Sequence, residues 1–162
     1  MRYLMKQRLF AWGEDFVVED EDGNDAFFVD GRALSERDKL TFQDLEGNEL
    51  AFISEHPFSL VPAYRIYRKG ELYATIKKAW LARADQRFKI DLCAGGTLTA
   101  EGCFAEHAYT IRRRAETITT VSRQWFAGND TYGVEIATGE HVVLMLAIAA
   151  AIDMCTQRTS AS

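Results

Sequence analysis

The C-terminal segment from His141 to Cys155 is the feature that most restricts how this chain can fold. It is rich in alanine, leucine and methionine, which favour helix over strand. From Val142 to Ile152 that helix is apolar on every side, so other apolar residues must surround it. The run is shorter than the ~20 apolar residues of a membrane-spanning helix, which predicts a helix enclosed in the core. We expect Asp153 to reach water or to join a polar network where the helix emerges.

A repeated pattern in the N-terminal half predicts what surrounds the helix. Residues 17–29 align with residues 41–53 at an offset of 24, and residues 66–76 form a third copy. Each copy is a β-rich run, a turn and a second β-rich run, and glycines occupy equivalent places in the turns: Gly23, Gly47 and Gly70. Glycine supplies the positive φ angles of tight hairpins. Similar turns continue through the second half, giving about twelve short strands, a spacing typical of an all-β barrel or sandwich.

The strands and the helix together predict one mainly β domain. We expect a closed antiparallel β-barrel of about twelve strands that encloses the hydrophobic C-terminal α-helix. A chain of 162 residues matches one domain in size and is long enough to bury a real core. The predicted domain covers residues 1–156, followed by a short flexible tail at 157–162.

The net charge of −5 is unevenly distributed. From Glu14 to Glu55, fourteen acidic residues stand against three basic ones, a net of −11. From Arg65 to Trp125, twelve basic residues stand against six acidic ones, a net of +6. The overall charge argues against nonspecific nucleic-acid binding, but one face of the protein is expected to be basic.

Cysteine usage and the N-terminus indicate the compartment. Three cysteines are an odd and sparse set for a disulfide framework, which favours a reducing environment. Lys6 and Arg8 interrupt the apolar N-terminal residues, so no secretory signal is predicted. We expect the protein in the cytoplasm, peripheral to a membrane if it binds lipid.

Seven short motifs spread over nearly the whole chain carry a family resemblance. They are MRYLMKQ at 1–7, DGN at 22–24, DG at 30–31, KK at 77–78, VSRQWF at 121–126, DTYGV at 130–134 and IDMC at 152–155. In this order they resemble the LURP-one-related family, part of the tubby C-terminal-like superfamily that includes the phospholipid scramblases. The resemblance implies a twelve-stranded barrel threaded by the C-terminal helix.

The same resemblance implies a class of function. Tubby-like members bind phosphoinositide head groups through basic residues on the barrel. Scramblases are linked to membranes and carry a proline-rich N-terminal region, a calcium segment and acylated cysteines, and this chain shows none of these additions. By analogy with the family, we expect a binding module that is not an enzyme.

Residues that could carry metal or catalytic chemistry lack the required spacing. The acidic hairpin at 20–25 has its glycine fourth rather than sixth, unlike an EF-hand loop. Cys93, Cys103 and His107 lack the paired spacing of zinc ligands, and we expect them to be buried or half-buried. The chain has neither a nucleophile elbow nor a complete phosphate-binding loop. The sequence therefore predicts no catalytic residues, no metal and no cofactor.

Basic residues of the second half form the candidate ligand site. Alternation along the two strands that flank Gly70 points one set of side chains inward: Tyr64, Ile66, Leu72, Ala74 and Ile76. Arg65 and Lys77 then face outward, and Arg112 does so on a later strand. We predict a ligand-binding set consisting of Arg65, Lys77, Lys78 and Arg112. Such cations can hold a phosphorylated head group, or they can simply keep the wall soluble and protect strand edges.

Three functions remain open at this point. The leading hypothesis is a non-enzymatic module whose basic wall, from Arg65 to Lys89 with Arg112 and Arg123, contacts an anionic phospholipid or an acidic partner surface. The first alternative is a structural or protein-interaction domain that uses its acidic N-terminal half. The second is scramblase-like lipid transfer, in which the helix leaves the barrel. No oligomeric state is predicted.

Overall fold

Twelve antiparallel strands close into a barrel within the described residues of this computed structural model, which are 1–6, 15–31, 39–56, 60–61, 63–79, 87–123 and 131–160. Each strand pairs with its neighbours in the chain, and the first strand closes the ring against the last. The strands are β1 (Arg2–Lys6), β2 (Phe16–Asp20), β3 (Asp25–Asp30), β4 (Lys39–Gln43), β5 (Glu49–Glu55), β6 (Ala63–Arg68), β7 (Glu71–Lys78), β8 (Arg87–Leu92), β9 (Thr97–Cys103), β10 (Ala108–Arg113), β11 (Glu116–Ser122) and β12 (Thr131–Ile136).

One α-helix, α1 (Val142–Ser160), fills the interior of this barrel. The predicted mainly β architecture, a closed barrel around a C-terminal helix, is confirmed. The helix runs to Ser160, four residues past the predicted end of the domain at 156. It is not both long enough and apolar enough to cross a membrane.

The core lies between α1 and the inward faces of the strands. Side chains of α1 from Leu144 to Ile152 are at most 5% exposed, and Leu146 is completely buried. They form one buried cluster with strand residues that are just as enclosed, including Ile53 and Ile76. Burying one such large apolar side chain contributes roughly 1.5–3 kcal/mol.

The two ends of the barrel differ. At one end, here called the turn end, tight turns join every second pair of consecutive strands, namely β2–β3, β4–β5, β6–β7, β8–β9 and β10–β11, and the chain passes from β12 into α1. Two of these turns have the same hydrogen bonds, as the sequence repeat predicts. Asp20 Oδ1 accepts from the amides of Asp22 and Asn24, both at 2.9 Å, and Asp44 Oδ1 makes the equivalent bonds in the second copy.

At the opposite end, here called the mouth, a buried hydrogen-bonded pair joins the helix to the barrel. His107 Nε2 lies 2.8 Å from Asp153 Oδ1, and both side chains are almost fully enclosed. The ring of Tyr132 stacks on His107 with centroids 4.3 Å apart. Burial, followed by the nearby Asp153 charge, raises the pKa values of Tyr109 and Tyr132 well above the usual range. Asp153 therefore joins a polar network, one of the two outcomes expected from the sequence.

The backbone that carries His107 into this position depends on a glycine. A single 3-10 turn, Phe104–Glu106, follows β9 and ends at His107, whose φ is 52°. Gly102, just before that turn, has a φ of 140°, and a Cβ there would lie 2.5 Å from the carbonyl oxygen of Ala108. Any other residue at 102 would therefore displace the start of β10.

We predict that Leu146→Asp abolishes cooperative unfolding, because it places a charge at a fully buried position in the barrel. Leu72→Asp is the control, since Leu72 is 39% exposed. Circular dichroism during thermal unfolding gives the comparison. A stable, cooperative Leu146→Asp protein would contradict the enclosed helix.

We also predict that Asp153→Ala lowers the free energy of unfolding by about 1–3 kcal/mol, because His107 then keeps a buried polar ring without its partner. The double variant His107→Phe, Asp153→Leu should be less damaged than this single change, since it removes both polar groups together. Urea unfolding measures both values. A single change that costs under about 1 kcal/mol would show that the pair does not anchor the helix.

Candidate functional site

The outer faces of β7 to β10 bring three basic residues into one row across the sheet. Lys77 lies directly opposite Lys89, Lys89 opposite Thr99, and Thr99 opposite Arg112. Side chains at such opposed positions of neighbouring strands have Cβ atoms about 4.5–5.5 Å apart. The row is therefore a continuous surface of cations and a hydroxyl.

Arg65 extends this surface toward β6. It lies opposite Thr75, which is two residues before Lys77 on the same face of β7, so Arg65 and Lys77 are diagonal neighbours. One Arg65 nitrogen, Nη2, is 2.7 Å from His56 Nε2, which orients the guanidinium. We call the surface formed by Arg65, Lys77, Lys89 and Arg112 the cationic wall.

Arg112 is the most constrained member of the cationic wall. A shift in strand register between Ile111 and Arg112 sets it opposite Thr117. Its Nη2 donates a 2.7 Å hydrogen bond to the carbonyl oxygen of Ala115 in the following turn. The guanidinium is thereby fixed at the edge of the wall nearest the turn end.

The structure places Lys78 apart from the other three predicted site residues. Successive side chains of a strand point to opposite faces, so Lys78 faces away from Lys77. It lies opposite Phe88, which is 2% exposed, and is itself half-buried at the mouth. Arg123, also considered from the sequence, lies past the end of β11, away from the wall.

Two other sequence expectations about these strands are corrected. Leu72 was predicted to face inward but is 39% exposed. A register shift between Ile66 and Tyr67 sets Leu72 opposite Tyr67 at the end of the strand pair, where neither residue is fully buried. Lys89 was predicted as the end of the basic wall but left out of the ligand-binding set, although Phe88 and Ile90 on either side of it are buried and alternation places it on the outer face.

The electrostatics of the wall are unfavourable for folding. Two like charges directly opposite each other on neighbouring strands destabilise a sheet, and Lys77 and Lys89 are so placed. Lys89 Nζ is 3.7 Å from Asp91 Oδ1, which offsets part of the repulsion. Within the described ranges Lys77 has no carboxylate partner, so its charge remains available.

Two cations outside the wall, Arg113 and Arg68, contact residues that lie just before α1. Arg113 donates two hydrogen bonds to the Glu140 carboxylate, at 2.6 and 3.1 Å, and this partner raises the pKa of Arg113. Arg68 Nη1 lies 3.0 Å from His141 Nε2. The amide of Leu144 approaches the other ring nitrogen of His141 at 3.3 Å. Both nitrogens thus face N–H donors, an arrangement that opposes protonation of the ring.

Metal ligation finds no support among the residues that the structure describes, where no three His, Cys, Asp or Glu side chains gather as a cation site would require. His107 is buried as expected and is paired with Asp153. Cys93 and Cys103 are both exposed, and the expectation that they are at least half-buried is wrong. They occupy opposite ends of the barrel, Cys93 beside the turn after β8 and Cys103 at the end of β9.

Known proteins match this chain over almost its whole length. A family model described as LURP-one-related matches residues 1–153. The uncharacterized protein YxjI of Bacillus subtilis (strain 168) is 29% identical over 151 residues, which cover 93% of this chain and 91% of that protein. The X-ray structure of an Arabidopsis thaliana protein superposes with a TM-score of 0.65 at 14% identity, covering 94% of this chain and 91% of the other, and so shares the fold.

A pH prediction follows from His141. Burial, and then the Arg68 guanidinium, lower the pKa of His141 below its ordinary 6.5. The unfolded chain therefore binds more protons than the folded one near that pH, so this contribution to stability is present above about pH 6.5 and is lost as the pH falls toward the lowered pKa. We expect the melting temperature to decrease between about pH 7.5 and about pH 5.5, and to decrease less in His141→Asn. Identical pH profiles for the two proteins would contradict this role.

Proposed function

The chain belongs to the LURP-one-related family, and we propose that this member is a non-enzymatic binding module that recognises anionic phospholipid head groups through its cationic wall. The ammonium, guanidinium and hydroxyl groups of the wall can donate hydrogen bonds to phosphate oxygens without a cofactor. Neither a catalytic residue nor a metal is assigned to the wall.

The observation that supports this proposal most strongly is the opposition of Lys77 and Lys89. A pair of like charges in this position costs stability, and threonine or an acid at either site would remove that cost. A bound phosphate group would turn the repulsion into two favourable contacts. A purely solubilising role would be served equally well by lysines placed apart.

The hydroxyls between the cations fit the same ligand. Thr99 separates Lys89 from Arg112, and Thr75 lies between Arg65 and the β8 strand. Both threonines are partly exposed. Neutral donors beside cations allow several oxygens of one head group to be bound together.

The distribution of charge around the barrel would orient the protein at a membrane. Strands β2 to β5 lie in the acidic part of the chain, whereas the cationic wall lies on β6 to β10. In a closed ring of consecutive strands these two regions occupy different sides. An anionic bilayer would attract the wall and repel the acidic side, which favours one docking orientation.

Co-sedimentation with liposomes tests the proposal. Wild type should bind vesicles that contain anionic phospholipid at low ionic strength and bind less at about 150 mM salt, and it should not bind neutral vesicles, here made of phosphatidylcholine alone. The double variant Lys77→Gln, Lys89→Gln should bind roughly thirtyfold more weakly, since each cation near an anionic surface contributes about 1 kcal/mol. Its melting temperature should be equal or slightly higher, because the repulsion is relieved.

The matched control is Lys39→Gln, Lys69→Gln. This variant loses the same charge, but Lys39 lies on β4 and Lys69 in the turn after β6, both outside the wall. It should retain most of the binding. If the two double variants lost vesicle binding equally, the loss would be explained by net charge alone, and the cationic wall would not be a specific site. Salt-resistant binding to neutral vesicles would also refute it, in favour of helix insertion.

A further inference from the structure

The turn end carries a second surface that the proposed function does not use. The β8–β9 turn and the β10–β11 turn border an open cleft of about 470 Å³. Half-buried Leu92 forms an apolar part of its lining, and Gly95, Gly96 and Thr97 continue the same side. Its volume falls within the ~300–1,000 Å³ range of small-molecule sites.

Arg114, on the other side of the cleft, has an unusual backbone. Its φ is 57°, a conformation that favours glycine. It is the first residue of the two-residue turn Arg114-Ala115, where glycine is the residue most easily accommodated. Lys69 has a similar φ of 52° in the β6–β7 turn, so what sets Arg114 apart is that its long cationic side chain lines the cleft.

The charged residues around the cleft differ in whether an ion-pair partner already compensates them. Arg113 is held by Glu140 through two hydrogen bonds, so its charge is already compensated. Arg114 and Glu116 also line the cleft, are exposed, and have no ion-pair partner in the part of the chain that the structure describes. The Arg114 guanidinium is therefore open at the cleft, and the exposed Glu116 carboxylate lies two residues away, opposite Arg113 on the neighbouring strand.

We propose that this cleft binds a small zwitterion, with its oxyanion on the Arg114 guanidinium, its ammonium on the Glu116 carboxylate and its short carbon chain against Leu92. A guanidinium fork fits a carboxylate or a phosphate equally well. Glu116 repels a ligand that carries only negative charge, which selects against simple anions. The shared chemistry is an oxyanion separated by about two carbons from an ammonium group, as in an amino acid or in phosphoethanolamine.

This site meets the cationic wall at the β10–β11 turn, where Arg112 binds the carbonyl oxygen of Ala115, but Lys77 and Lys89 do not line it. The wall lies on the outer faces of β6 to β10, whereas the cleft is formed by turns at the end of the barrel. Replacing Lys77 and Lys89 should leave the cleft intact. The two proposals can therefore fail independently.

An NMR titration of the full chain tests the site with O-phosphoethanolamine and L-serine as probes. We expect chemical-shift changes at the amides of Gly95, Gly96 and Thr97. Inorganic phosphate and ethylammonium each provide half of the ligand and should bind at least about tenfold more weakly than the zwitterions. Equal affinity for a zwitterion and for its halves would overturn the proposal, as would the absence of shifts with either zwitterion at about 10 mM, an upper bound for weak specific binding.

Vesicles of phosphatidylethanolamine distinguish two sources of a zwitterionic ligand, a lipid head group and a soluble small molecule. Shifts at the same amides with the free zwitterion and with vesicles would identify a lipid head group as an accessible ligand. Shifts with the free zwitterion alone would identify a soluble one. Both results support the site, and a response to vesicles without any response to the free probes would overturn it.

Arg114→Gly removes the guanidinium without disturbing the turn, because glycine adopts this backbone conformation more easily than arginine does. The variant should have an equal or higher melting temperature and at least about a tenfold loss of zwitterion affinity. Glu116→Gln should lose preference for the zwitterion over inorganic phosphate. Lys69→Gln, which changes a positive-φ residue in another turn at the same end, is the control and should bind normally. Unchanged affinity in Arg114→Gly would overturn the assignment.

Discussion

Helix α1 presents apolar side chains in every direction around its axis, so its burial depends on contacts from all sides. A flat or open sheet would leave one side of such a helix in water. Closed barrels of about eight strands are filled by their own side chains, and a larger ring has room for more. Twelve strands enclose the helix, and their paired edges leave no strand unmatched in the described sheet.

Polar contacts at both ends fix the position of the helix in this apolar interior. At the turn end Arg113 binds Glu140 just before α1, and at the mouth His107 binds Asp153 near its end. These contacts fix where the helix starts and its position along the barrel axis. Apolar packing alone would define that position less precisely, because it is not directional. Among the residues that the structure describes, the inward positions form the core, and the candidate recognition groups are outward side chains and turns. The cationic wall and the cleft both occupy such positions.

Local patterns in the sequence were sufficient for the fold and for part of the site. The all-apolar helix and the repeated hairpins predict the barrel, and alternation correctly places Arg65 and Lys77 on the outside. The errors arise where local alternation is interrupted or ignored: a register shift exposes Leu72, and adjacent Lys78 points away from Lys77. Contacts between distant segments, such as Lys77 opposite Lys89 or the two turns of the cleft, depend on strand register and required the structure.

Native-state hydrogen exchange of the α1 amides tests the enclosed helix most directly. If the barrel surrounds the helix on all sides, amides from Leu144 to Ile152 can exchange only when the barrel itself opens. The account predicts that these amides and those of the central strands exchange with the same free energy, equal to that of global unfolding. Exchange of the helix amides at a distinctly lower free energy than the strands would show that the helix leaves a barrel that remains folded, and would contradict it.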